Sequence, residues 1–240
     1  MKQNHRKVLL RRTSLMLAVA GFIAAQAAVA AAGERPSLDG TWKITAPRLE
    51  LAPNGGADMP LTNEGRAAYE NNKKSAAKGD FGYDQTATSC SSPGLPRMML
   101  SGDRIQIFQR DRVVNMLFEW NRQSREIEMR DVPEVKPLVD TMYGVSYGHW
   151  EGDTLVVKSF GFFADKLIDA YLRGSDALEL VEKIRLKDKD TLEDRITVTD
   201  PAIFTRPFET VLSYKRQKDE ALPEDNCLDR KQAGQPALPL

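Results

Sequence analysis

A chain of 240 residues with 34 basic and 34 acidic side chains has the length of one domain with a sizeable core, and no basic excess with which to hold a polyanion. Two histidines and two cysteines exclude a multi-histidine metal centre, and the sequence contains no phosphate loop, dinucleotide fingerprint, EF-hand spacing or Gly-x-Ser-x-Gly elbow. No nucleic acid, metal or cofactor is therefore expected, and any catalysis would be cofactor-free general acid and base work.

The first thirty residues read as a secretory signal peptide. Lys2, Arg6, Lys7, Arg11 and Arg12 form a basic start without an acidic residue, residues 15–32 are almost all apolar and small, and Ala28-Val29-Ala30 supplies a small-x-small cleavage site. The Arg11-Arg12 pair admits twin-arginine export beside the general secretory route. Cleavage after Ala30 removes five basic residues and leaves 29 against 34 acidic ones, so the mature protein is mildly acidic and belongs in the periplasm or outside the cell. An oxidising compartment and only two cysteines predict a Cys90–Cys227 disulfide that ties the C-terminal segment to the loop before Pro93.

Residues 38–44 read as a first strand carrying Trp42, followed by a loop rich in Pro, Gly and Ala. A helix begins near Thr62 and Asn63, either of which can cap it, with Glu64 at the positive end of its dipole, and it fades by Gly79. From Arg97 onward short runs alternate with tight turns: 98–101, 104–109, 113–120, 125–130, 144–150, 154–160, 178–186, 192–199 and 209–216. Punctuation such as Gly102-Asp103, Glu151-Gly152-Asp153 and Lys187-Asp188-Lys189-Asp190 joins sequential strands. The pattern predicts a mainly β chain, an antiparallel up-and-down barrel with one short N-terminal helix, with a sandwich as the alternative. Residues 31–232 form that single domain, and the Pro-rich tail 233–240 is expected to be disordered.

Strand alternation assigns faces. Leu178, Leu180, Ile184 and Leu186 share theirs with Glu182, so this carboxylate is either a catalytic or ligand-binding group or half of a buried ion pair with Arg97 or Arg125. Asn115 and Glu119 fall together on one face of 113–120, which is either a polar pocket floor or a solvent face. Asp194 falls with Leu192, Ile196 and Val198. His149 is the only imidazole left after cleavage, next to a turn. Tyr143, Tyr147, Trp150 and Phe162 are candidate walls of a binding site, and the apolar loop 160–174 suits a lid over a barrel mouth.

Several segments together resemble a family of exported, largely uncharacterised bacterial proteins from sphingomonads and acidobacteria. They include Cys90 to Pro93-Gly94-Leu95-Pro96-Arg97-Met98-Met99, and above all Trp150-Glu151-Gly152-Asp153-Thr154-Leu155-Val156-Val157. The resemblance runs from about Leu38 to Pro207. It implies a lipocalin-like or calycin-like barrel and draws attention to Arg97, Glu119, Trp150, Asp153 and Glu182. This chain departs from the family at Glu179, which stands where relatives carry a histidine, and at Asp194, which replaces an apolar residue.

Two functions fit these residues. One is a periplasmic barrel that holds a small hydrophobic or aromatic molecule in its lumen, against Asn115, Tyr143, Tyr147, Trp150 and Phe162. The other is a lyase, isomerase or hydrolase on the same cavity, in which Glu182, Glu119 or His149 moves a proton and Arg97 or a tyrosine steadies negative charge.

Overall fold

The computed structural model describes residues 35–134, 140–164, 166–218 and 221–239; the expected signal peptide lies outside them. Nine strands follow one another around a closed barrel: β1 (Gly40–Ile44), β2 (Arg104–Gln109), β3 (Val113–Phe118), β4 (Ser124–Glu128), β5 (Val145–Glu151), β6 (Thr154–Phe160), β7 (Glu179–Asp188), β8 (Thr191–Thr199) and β9 (Phe208–Gln217). Closure is antiparallel, with Trp42 opposite Arg216 and Ile44 opposite Tyr214. It leaves no sheet edge open to another chain.

The sequence predicts the barrel, with one difference in strand direction: β4 and β5 pair in parallel, Ile127 opposite Ser146 and Glu128 opposite Tyr147. The chain returns from one end of the barrel to the other between these strands, so β5 restarts in the direction of β4. Tight turns at residues 110–112, 152–153 and 189–190 therefore gather at one end. Residues 45–103, 119–123, 161–178 and 200–207 gather at the other, the loop end.

Inward positions are mostly large and apolar. Trp42, Phe118, Ile127, Leu155, Leu180 and Ile196 are almost fully buried, and each such side chain contributes about 1.5–3 kcal/mol relative to exposure. At the turn end the Arg216 guanidinium lies 4.1 Å from the Trp42 ring centroid and donates to the carbonyls of Lys189 and Asp39. Glycine suits position 40 because its φ is +133°, a backbone conformation that residues with a Cβ rarely adopt.

The loop end is stoppered by residues expected to form a strand. Arg97–Leu100 is a 3₁₀ helix with all four side chains buried, and the Tyr214 hydroxyl donates to the Met99 carbonyl at 3.2 Å. Helix α1 (Asn63–Ala77) lies outside this stopper, capped as predicted by the Thr62 hydroxyl, which accepts from Gly65 N–H at 3.0 Å. A second helix, α2 (Gln85–Ser89), is capped by Asp84, and a third, α3 (Cys227–Gln232), by Asn226.

The predicted disulfide joins Cys90, at the end of α2, to Cys227, at the start of α3. The tail after α3 is held against the barrel, unlike the disorder its composition predicts. Trp120 Nε1 donates to the Ala237 carbonyl at 2.7 Å, and Gly102 N–H donates to that of Pro239 at 3.0 Å. No helix among the described residues is long and apolar enough to cross a membrane.

Candidate ligand-binding cleft

Inside the barrel, β4 and β7 bring Arg125 and Glu182 together, one of the two pairings the strand pattern allows. Arg125 Nη1 donates to Glu182 Oε1 at 2.8 Å, Nη2 donates to Oε2, Nη2 also reaches Ser159 Oγ at 2.7 Å, and Nε reaches Ser146 Oγ at 3.0 Å. Burial opposes the charge on Arg125, and the Glu182 carboxylate more than restores it, so the guanidinium titrates above its usual value. Asp194 is buried beside them on β8, where the Glu182 carboxylate and the Arg125 guanidinium both act on it. Burial first, and Glu182 second, push its pKa well up, and the same burial raises Tyr214.

This cluster does not floor a ligand-sized lumen. The space between Trp42, Ile107, Met116, Ile184, Asp194 and Tyr214 is about 10 Å³, room for about one water molecule. The 97–100 stopper stands at the loop end, and the Trp42–Arg216 stack at the turn end.

The other singled-out residues are dispersed. Glu119 is buried just past β3, where it accepts from the Arg104 backbone N–H at 3.0 Å and pairs with Arg104 Nε at 3.2 Å. Asn115 is on the outer face of β3, opposite Phe108 and Glu126, because the face with Val114, Met116 and Phe118 is the inward one. His149 is exposed at the end of β5 near Glu151. Arg97 is buried in a two-pronged pair with Asp84, at 2.6 and 2.9 Å.

Of the proposed wall residues, Tyr147 packs outside the barrel against Phe160 and under Arg130. Tyr143 stacks on Phe118 and accepts from the Ser92 hydroxyl, and burial pushes its pKa up to about 12. Phe162 is buried near Gly144, and Trp150 is half-buried beside the core. Glu182, Glu119, His149 and Arg97 therefore stand in separate parts of the barrel.

A ligand-sized space lies instead over the loop end. A cleft of about 870 Å³ runs between α1, α2, the 161–178 loop and the tail, with Arg48 and Ser101 also lining it. Its apolar lining includes Leu49, Ala77, Phe81, Ala170, Tyr171 and Leu238. Leu49 and Phe81 are 44% and 46% exposed, among the most exposed large apolar side chains described.

The predicted lid forms one wall. Buried Asp169 accepts from the backbone N–H groups of Leu51, Tyr171 and Leu172 at 3.0, 2.8 and 2.7 Å, which fixes this loop against the segment after β1. Burial pushes the Asp169 carboxyl up to about 6 and the three donors restrain it. Asn72 of α1 donates to the Tyr171 carbonyl at 2.7 Å and completes the join.

Sequence reasoning missed Arg48, Leu49 and Phe81. They lie in loops without periodicity, and two exposed apolar residues in loops give no signal until the fold places them around one hollow.

No family model and no curated protein matches the chain. Solved structures of two mutants of the fluorescent protein UnaG align with it at 16% identity, covering 76% of this chain and 97% of theirs, with a TM-score of 0.32. A score of that size transfers neither site nor ligand, and the barrel rests on its own hydrogen-bonded register.

Proposed function

We propose that this chain is an exported barrel protein of the family its Trp-Glu-Gly-Asp-Thr-Leu-Val-Val segment resembles, and that it binds a small apolar or aromatic molecule. The binding place is the cleft over the loop end. The carrying observation is the pairing of a roughly 870 Å³ cleft with exposed Leu49 and Phe81 on its walls, against a space of only about 10 Å³ beside Asp194 inside the barrel. Ligand sites typically occupy hollows of about 300–1,000 Å³ with mainly apolar walls. An exposed apolar pair in such a hollow gains free energy when a ligand covers it.

The test is titration with Nile red, a neutral apolar fluorophore. Saturable emission enhancement is expected for the wild type, with affinity lowered about tenfold in Leu49→Ser/Phe81→Ser. Absence of saturable binding, or unchanged affinity in the double variant, would overturn the reading.

A further inference from the structure

The cations lining the cleft point to the kind of molecule it takes. Arg48, Lys73, Arg97 and Lys231 face one carboxylate, Asp84, although the chain beyond the expected signal peptide is acidic overall. Two of the four already have a carboxylate: Arg97 is neutralised by Asp84, and Lys73 pairs with Glu50 at 3.0 Å. Lys231 is exposed to water and donates to the Thr88 carbonyl at 2.5 Å.

Arg48 differs from them. Its Nη2 donates to the Thr210 hydroxyl at 2.7 Å, its Nε is buried with no hydrogen-bond partner, and no carboxylate pairs with it among the described residues. Burial lowers its pKa, the expected sign for a cation taken from water without a counter-charge. Thr210 points into the barrel from β9 and the Arg48 backbone N–H bonds the Leu100 carbonyl, so the guanidinium stands at the floor of the cleft beside the stopper. The adjacent residue, Leu49, begins the apolar wall.

We infer that the cleft selects molecules with a single carboxylate on an apolar body, the carboxylate pairing with Arg48 and the body lying along Leu49 and Phe81. The inference rests on the binding reading above and adds the charge. A planar guanidinium fork matches a carboxylate, and a charge-assisted bond away from bulk water is stronger than a neutral one.

Displacement of Nile red by dodecanoate and by its methyl ester, on the wild type, Arg48→Met and Arg48→Lys, tests it. The acid is expected to displace the dye about ten- to a hundredfold more tightly than the ester on the wild type. Arg48→Met should abolish that preference, bringing acid and ester to equal potency, and Arg48→Lys should keep part of it. Equal potency of acid and ester on the wild type would sink the inference without any variant. So would a preference that survives in folded Arg48→Met. If Nile red itself does not bind, the failure lies with the binding reading.

Discussion

Placing Arg125 and Glu182 inside a barrel removes two charges from water, and their attraction offsets that cost because Ser146 and Ser159 occupy further guanidinium donors. Removing one partner strands the other. Arg125→Met is expected to lower stability by about 3–5 kcal/mol, and Arg125→Met/Glu182→Leu to recover most of it, both read from chemical denaturation. Asp194 makes the opposite case, as a buried carboxylate beside Glu182 whose folded pKa is raised. The folded state keeps a proton there that the unfolded chain releases near its ordinary value of about 4. Its contribution is therefore full below that pH and is lost as pH rises. Asp194→Asn should be more stable than the wild type at about pH 8 and lose that advantage by about pH 4, measured by melting temperature. The inward direction of Glu182 and Asp194 is legible from the sequence, because each interrupts an apolar face at a spacing of two. Asn115 misleads because both faces of β3 carry apolar residues and its outer face is half-buried.

Helix α3 is fastened by charge as well as by sulfur. Arg230 donates to Asp225 at 2.5 Å and reaches toward Asp103 at 3.9 Å, while Glu119, beside them, is paired with Arg104. Asp103 and Asp225 each have one buried carboxyl oxygen, and the two groups act on each other. Burial first, then Asp225 and Glu119, push Asp103 up to about 7 against the pull of Arg230. A folded pKa raised in this way gives stability that is present at acid pH and is lost as pH rises through about 7. Amide exchange of residues 227–232, corrected for intrinsic rates, should show more frequent opening at about pH 8 than at about pH 6. Asp103→Asn should flatten that dependence, and an unaltered dependence in the variant would remove Asp103 as its source. The long periodic strands and α1 announce themselves in the sequence. The stopper does not, since three apolar residues, Met98, Met99 and Leu100, next to a buried arginine have neither a helical nor a strand period. The tail also escapes, because its order comes from bonds to Trp120 and Gly102, far away in the chain.

At the scale of the molecule, the Cys90–Cys227 bond closes a loop with a sequence separation of 137, which contains β2 to β9 and so nearly the whole barrel. A crosslink over that span restricts the unfolded chain far more than the folded one, by about 4–5 kcal/mol in the entropy model. For a domain of this size that corresponds to a melting temperature lower by about 10–20 °C after reduction. Cys90→Ser/Cys227→Ser should match the reduced wild type, and a reduced protein that melts within about 2 °C of the oxidised one would show that the crosslink adds no net constraint. The same bond joins the end of α2 to the start of α3, and residues near both ends, Thr86, Ala87, Lys231 and Gly234, line the cleft. Loss of the crosslink should therefore weaken Nile red binding even well below the melting transition, whereas a barrel whose ligand sat in the lumen would bind unchanged until it unfolded.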